Sequence, residues 1–369
     1  MDIVKLSAYG LLAVFLISCQ KPSSVVPVIE ITPDNEMNVS DFVDNVKNVR
    51  LSKTESSALS RIESIRWNED KIAINSNQQI YVFDWKGINL GIISKRGKGM
   101  GEYIQISDFQ LYNDTLYVLS ALQQSLLLYT CEGNFIRKYD LNDVYRHFAI
   151  IGDGLIVLSS ENNNDTHYNF VFYDLKKEES ISLIDGFDKN EAFVFPSFNA
   201  FYGSSEKLLV GHPFDYSVYA LNTDGISIVS SFAFNTQDQL SFDKGSYVDL
   251  EEETRNKCIV RYLQAYEEVG DNQYLVYPLF GDSGLKTCIT CINKKGDNKT
   301  IRIGKDVDNE YPYFFMGDYL GMKNGTLVMS VDASKLIELE GEYGFTTFSN
   351  SGTTEDDNPI LFFYKLRAY

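Results

Sequence analysis

Apolar and polar positions along this chain recur as a phrase rather than as a smooth period. Two or three apolar residues lead to an aromatic or apolar one, and then to a polar turn that usually closes on glycine. The phrase appears as Ile80-Tyr81-Val82-Phe83-Asp84-Trp85-Lys86-Gly87 and returns as Leu126-Leu127-Leu128-Tyr129-Thr130-Cys131-Glu132-Gly133. A degenerate copy spans Phe170–Lys177, and further copies span Val218–Gly225 and Ile289–Gly296. Short apolar runs bounded by turn residues read as strands buried on both faces. Two such runs precede each phrase and one follows it. In the first unit the four strands are expected at Ile62–Trp67, Lys71–Asn75, Ile80–Asp84 and Ile88–Ser94. In the second they are expected at Ser107–Tyr112, Thr115–Ser120, Leu126–Thr130 and Asn134–Leu141.

Each unit is therefore a four-stranded meander. Gly87 and Gly133 are 46 residues apart, within the roughly 40–50 residues of a propeller blade. A lone four-stranded sheet leaves a face bare, whereas radial packing covers both faces and leaves only short edges. Five units start near residues 61, 106, 147, 197 and 261. A sixth is partial, with Tyr311–Met316, Thr326–Val331 and Pro359–Leu366. Its missing outer strand is assigned to Val46–Leu51, upstream of the first blade. The expected fold is all-β, a six-bladed β-propeller whose N-terminal strand joins the C-terminal blade. Two segments break the rhythm. Residues 235–257 are polar, with a helix expected at 247–257, and residues 333–341 read as a short helix. Both sit on loops, where long insertions are either functional or solvated decoration.

Residues 8–17 form an apolar run behind Lys5, too short for a bilayer core that needs about 20 residues. Leu16-Ile17-Ser18-Cys19 follows, with a small residue before a cysteine. This resembles the lipobox of bacterial lipoproteins, in which the cysteine takes a diacylglycerol and becomes the first mature residue. The expected organisation is a signal peptide at 1–18, a lipid anchor and tether at 19–40, and the propeller at 41–369. The 24 Tyr and 24 Phe against 2 Trp suit half-buried pleated surfaces. The formal net charge of −18 repels phosphate backbones and anionic membrane surfaces. Nucleic acid is thus not an expected partner, and the membrane is reached through the lipid on Cys19.

The run Gly91-Ile-Ile-Ser-Lys-Arg96-Gly97-Lys98-Gly99-Met100-Gly101-Glu102-Tyr103 and the closing Asp357-Asn358-Pro359-Ile360-Leu361-Phe362-Phe363-Tyr364 carry a family resemblance. They resemble the six-bladed β-propeller lipoproteins of Bacteroidetes, and the first run is also similar to the glycine-rich start of NHL repeats. Met100 stands where that family usually has proline. The resemblance covers nearly the whole mature chain and implies fold and location, not chemistry. It implies a cell-envelope protein anchored in the outer membrane. The surface and periplasmic faces both stay open, and the lack of an acidic cluster at residues 20–24 leans towards the periplasmic one.

Candidate chemistry is sparse. The glycine run lacks the Gly-Lys-Ser/Thr ending of a phosphate loop and opens no helix. Arg96, Glu102 and Tyr103 are read either as ligand contacts at a ring mouth or as an inter-blade clamp, the clamp being favoured. Arg261 and Tyr262 are candidate partners from the opposite side, and His212 lies in a loop of the fourth blade. Cys288 and Cys291 sit in one strand on opposite faces, roughly 10 Å apart, beyond the reach of about 7 Å for a disulfide. Buried free thiols are expected there, with a bridge to Cys258 left open, and Cys131 falls in a turn. No second pair completes a zinc site. Asp306–Glu310 begins a calcium-loop pattern without its glycine. No metal or cofactor is expected. The leading reading is a binding or scaffold module for a glycan, a peptide or a partner protein. The alternative is a propeller-fold lyase or hydrolase acting on an exported substrate, set behind because histidines are few. Cys19→Ala is expected to abolish labelling by a fatty-acid probe and to release the protein from the membrane fraction. Membrane association that survives the substitution would refute the anchor.

Overall fold

The computed structural model describes residues 26–152, 154–160, 168–185, 200–202, 207–212, 215–238, 257–281, 284–303, 311–344 and 346–368. Two strands precede the blades, β1 (Val28–Ile31) and β2 (Val43–Arg50), with the single helical turn α1 (Val39–Phe42) between them. Blade one is β3 (Ser64–Trp67), β4 (Lys71–Ser76), β5 (Gln79–Asp84) and β6 (Asn89–Ile93). Blade two is β7 (Asp108–Tyr112), β8 (Thr115–Ser120), β9 (Ser125–Thr130) and β10 (Phe135–Asp140). Blade three is β11 (Tyr145–Gly152), β12 (Leu155–Ser160), β13 (Tyr168–Asp174) and β14 (Glu179–Asp185). Blade four is β15 (Phe201–Tyr202), β16 (Leu209–His212), β17 (Asp215–Asn222) and β18 (Gly225–Phe234). Blade five is β19 (Ala265–Val269), β20 (Asn272–Gly281), β21 (Gly284–Ile292) and β22 (Asn298–Arg302). Blade six takes β23 (Asp318–Lys323), β24 (Thr326–Val331) and β25 (Ile360–Leu366) from the C-terminal part of the chain, and β2 as its outermost strand. The innermost strand of each blade abuts that of the next, and β23 meets β3 to close the ring. The fold is a six-bladed β-propeller.

Packing explains why the strands read as continuous apolar runs. Side chains alternate across a strand, so each strand serves two inter-blade gaps. In β25, Ile360, Phe362, Tyr364 and Leu366 enter the gap between blades five and six. Leu361 and Phe363 enter the gap between blades six and one. Each of the six gaps holds one apolar cluster of its own. The recurring glycine has the same origin. Gly87 sits at φ 80°, and a Cβ there would lie 1.7 Å from the carbonyl oxygen of Arg50 in blade six. Gly133 sits at φ 90°, with its would-be Cβ 2.6 Å from the Ile92 carbonyl of blade one. The hairpin tips of blades one and two thus touch the outer strand of the preceding blade, where only glycine fits.

Closure follows the expected route. β2 pairs antiparallel with β25 from Val43–Leu366 to Arg50–Ile360. Asn358 of the closing motif is 3% exposed and holds the junction. Its amide donates to the carbonyls of Ser52 at 3.0 Å and Ser57 at 2.9 Å, and its oxygen accepts from Leu59 N at 2.8 Å. The chain before β2 contributes more than a tether. β1 adds to β18 in parallel as a fifth strand of blade four. The residues after it cross blade five, where Thr300 N donates to Asn35 O at 2.7 Å and Met37 N donates to Thr300 O at 3.2 Å. Asp34 also pairs with Arg302. The segment from Val28 to Arg50 is therefore a strap over the outer edges of three consecutive blades.

One expected strand is corrected. Tyr311–Met316 form turns, and the inner strand of blade six is Asp318–Lys323. The aromatic run is apolar because it fills a gap: Phe314 packs edge-on against Phe42 and Tyr364, and Tyr313 stacks on Phe362. The expected helix is present as α2 (Ala333–Tyr343). Its Glu340, 2% exposed, accepts from Tyr313 Oη at 2.8 Å, from Phe348 N at 2.7 Å and from Ser349 N at 2.8 Å. The helix expected at 247–257 lies almost wholly outside the described residues. Deleting residues 29–52 is expected to expose the β25 edge, lower the melting temperature and cause aggregation, because an unpaired apolar edge templates further pairing. Size-exclusion chromatography with thermal melting checks it; a monomer of unchanged melting temperature would contradict the closure.

Candidate functional site

Antiparallel order divides the connections between two faces. The turns after the first and third strands of each blade open on one face, here the turn face. The connections after the second strand and between blades open on the other, the loop face. The turn face is closed by short tips such as Asn113-Asp114, Asn324-Gly325 and Trp85–Gly87. Among the described residues, the loop face carries the connection 94–107, residues 235–238 and 257–264, and the segment from 332 that contains α2. Arg96, Glu102, Tyr103, His212, Arg261 and Tyr262 all fall on loop-face connections or at their strand ends.

The glycine-rich run is the connection from β6 to β7. Tyr103 N donates to Lys95 O at 2.9 Å, and Gly97 N donates to Tyr103 O at 2.9 Å, which folds the run back on itself. Glu102 turns inward and accepts from Gly99 N at 2.8 Å. A Cβ on Gly97 would come within 2.0 Å of that carboxylate, so the glycine leaves room for it. Tyr103 is fully buried among blades one and two, with Ile80, Val82, Ile93 and Phe109. Its hydroxyl lies 2.8 Å from Gln78 O and 3.0 Å from Ile93 O. Burial pushes the Tyr103 phenol up to about 12. From blade two, Gln123 Nε2 donates to Glu102 O at 3.2 Å and Gln123 Oε1 accepts from Ile104 N at 3.1 Å. Tyr129 Oη donates to Gly101 O at 3.1 Å. The run is a rigid inter-blade clamp whose tip, with Lys95, Arg96, Lys98 and Met100, stays exposed.

The second group lies across the ring, at the junction of blades four and five. Ile259 and Phe280 exchange backbone hydrogen bonds at 3.2 and 3.1 Å. Arg261 is buried, with its guanidinium 4.1 Å from the Phe280 ring centroid. Tyr262 is buried between blades three and four. His212 ends β16 and is buried. With their side chains in the core, Tyr103 and Tyr262 present no ring face to a ligand on this surface. The structure thus joins Arg96, Glu102 and Tyr103 in one clamp, places Arg261 against Phe280 of blade five and Tyr262 between blades three and four, and keeps both across the ring from the clamp.

The cysteines follow their strand geometry. Cys288 packs with blade four and Cys291 with blade six, on opposite faces of β21. Cys131, Cys258, Cys288 and Cys291 are all free thiols, and burial pushes Cys131 up to about 11 and Cys288 up to about 12. Cys19, His167 and Asp306–Glu310 lie outside the described residues. Among the described residues, no group of three His, Cys, Asp or Glu is placed to hold a metal ion.

A polar network on the inner strands has no counterpart in the sequence reading. Arg66 on β3 donates through Nη2 to Asp108 Oδ1 on β7 at 2.8 Å, and through Nε to Gln110 Oε1 at 3.2 Å. Gln110 Nε2 donates to Phe148 O at 3.0 Å, and Phe148 N donates to Asp108 Oδ2 at 3.2 Å. His147 Nδ1 lies 3.8 Å from the same carboxylate. The network joins blades one, two and three around the axis. Burial of Asp108 opposes its ionisation, but Arg66 and then His147 outweigh that and hold the carboxyl below its usual range. The available signal was a charged residue opening an apolar inner strand, Asp108 before Phe109, and another inside Ile65-Arg66-Trp67.

Fold and faces together define a β-propeller with one elaborated face. The chain belongs to the family described as "Domain of unknown function (DUF4934)", whose model matches residues 24–365. No curated protein matches it in sequence. Its structure is similar to that of a candidate exported protein from Bacteroides fragilis, at 19% identity and a TM-score of 0.73, covering 92% of this chain and 100% of that one. It is also similar to a member of the DUF4221 family from Bacteroides vulgatus, at 13% identity and a TM-score of 0.54, covering 88% of this chain and 97% of that one. At these identities the likeness is one of fold.

Asp108→Ala is expected to cost about 3 kcal/mol at pH 7, the lower end for breaking a buried pair, because Arg66 keeps some solvent. The folded-state pKa is depressed, so this stabilisation is fully present above the unfolded value of about 3.9. It is lost as pH falls through the lower folded value. Urea denaturation at pH 7 and at pH 3 should show the gap between wild type and variant narrowing in acid. A gap that is absent at pH 7 would remove the network from the stabilising interactions.

Proposed function

We propose that the protein is a lipid-anchored binding module of the cell envelope, held in the outer membrane through Cys19. Its loop face receives a glycan, a peptide or a partner protein. The observation that carries this reading is the asymmetry of the two faces. Among the described residues one face carries short turns, while the other carries the β6–β7 connection and α2. Loops held by a rigid scaffold are where binding residues concentrate. The apolar segment at 8–17 and Leu16–Cys19 support export and lipidation. The Bacteroides fragilis neighbour, described as a candidate exported protein, is consistent with the same compartment. No helix among the described residues is long and apolar enough to cross a membrane, which leaves the lipid as the anchor of this proposal.

Of the candidate contacts, Arg96 is exposed and Glu102 half-buried, whereas Tyr103, His212, Arg261 and Tyr262 are buried. In this reading Arg96 touches the ligand directly and Glu102 fixes the loop that presents it, with Tyr103 beneath them in the gap between blades one and two, while His212, Arg261 and Tyr262 support the loop face across the ring. Arg96 and its exposed neighbours Lys95 and Lys98, on a chain of net charge −18, favour a carboxylate or another anionic group. Residues 20–369, screened on glycan and peptide arrays beside the Arg96→Ala and Arg261→Ala variants, test the reading. A loop-face ligand is expected to lose about tenfold in affinity with Arg96→Ala, the scale of one charge-assisted contact. Arg261→Ala is expected to lower the melting temperature. If both variants bind normally while only stability falls, these residues are structural and the site is elsewhere.

A further inference from the structure

We propose that the exposed tip of the β6–β7 connection, Lys95 to Met100, together with Leu122 of the neighbouring turn, is a docking site for an acidic polypeptide segment that carries apolar side chains. This rests on the loop face being the binding face and names the kind of partner it takes. Lys95, Arg96 and Lys98 stand within four consecutive positions and all three are exposed. None of the three makes an ion pair with a described residue, and the nearest carboxylate in sequence, Glu102, is turned inward onto Gly99 N. Three unpaired cations in one tip are out of character for a chain of net charge −18. Their like-charge repulsion opposes the fold unless an anion relieves it.

Rigidity is the second observation. The tip is held by Tyr103, Glu102 and the Gln123 amide, so its cations are displayed on a fixed base. Pre-ordering of this kind lowers the entropy cost of binding. The third observation is apolar. Met100 is 92% exposed at the tip, and Leu122 is 67% exposed in the turn Ala121–Gln123, whose Gln123 clamps the same run. An exposed, unbranched thioether is an adaptable apolar contact of the kind that peptide-binding surfaces use, and Leu122 adds a second exposed apolar side chain on the turn that clamps the run. A glycan would call for an aromatic platform, and the tyrosine of this run, Tyr103, is buried. Charge complementarity and the exposed apolar side chains of Met100 and Leu122 therefore favour a polypeptide over an acidic polysaccharide.

The test uses the full lipidated chain in non-ionic detergent and follows fluorescence anisotropy of a labelled peptide of alternating glutamate and leucine. Binding is expected at low salt. It is expected to weaken by at least about tenfold in a triple Lys95→Glu, Arg96→Glu, Lys98→Glu variant, the scale of lost electrostatic complementarity at an interface rim. Met100→Ser is expected to weaken it severalfold without changing its salt dependence. Polyglutamate should bind less tightly than the alternating peptide, and a glutamine–leucine analogue should not bind. The proposal is overturned if the charge-reversed chain binds the peptide as wild type does, if no binding occurs at low salt, or if polygalacturonate binds better than the peptide. A loop-face ligand from the array screen that still binds the charge-reversed chain would sink this proposal and leave the binding-module reading standing. Loss of every loop-face ligand from wild type would sink both.

Discussion

A four-stranded sheet that is apolar on both faces cannot stand in water, and this requirement governs the whole molecule. Each blade must be covered on two sides, so no blade is complete until its neighbours are present. Only a closed ring covers all of them, and the ring closes through one strand pair, β2 against β25. The six gap clusters, Gly87 and Gly133 at two hairpin tips and the Asn358 clasp all follow from bringing sheets face to face at a fixed spacing. The strap from Val28 to Arg50 extends the same principle to the outer rim, where it covers edges that would otherwise be unpaired.

Closure also explains the division of labour between the faces. The turn-face hairpin tips of blades one and two are wedged under the preceding blade at Gly87 and Gly133 and have no room to grow. Connections on the loop face cross from outer strand to inner strand and meet no such limit. The clamp from Lys95 to Tyr103 shows both aspects. Its base is bound into the gap between blades one and two, and its tip is free to carry charge. The Arg66–Asp108 network does for the axis what the strap does for the rim, linking successive blades by polar contacts where little apolar area is available.

Much of this architecture was legible in the chain, because a strand buried on both faces leaves a compact apolar signature. The runs around Val82, Leu127 and Ile289 marked their blades, and Val46–Leu51 marked the closing strand within a few residues of β2. Three features were not legible, each for a physical reason. Val28–Ile31 is four residues long and carries Glu30 at its centre, so it has no pattern of its own and is a strand only because β18 offers an edge. Tyr311–Met316 mimics a strand because aromatic gap-filling and strand burial select the same residues. The Arg66–Asp108–Phe148 network joins three blades, and no spacing along one chain reveals which inner strands will face one another. At the candidate site, Tyr103 and Tyr262 had the composition of ligand platforms and proved to be core residues. Arg96, which the same reasoning named, is on the surface.

The β2–β25 pair joins residues near the two ends of the chain, which bears on how the molecule reaches its fold. During synthesis β2 emerges well before its partner β25, so the outer strand of the sixth blade has nothing to pair with until β25 has been made. The added entropy of so long a loop is modest, since it grows only with the logarithm of length. The delay is kinetic, because pairings between distant segments form slowly. As long as β2 and β25 are unpaired, the apolar edge of β25 is uncovered, and the chain is exposed to aggregation through it.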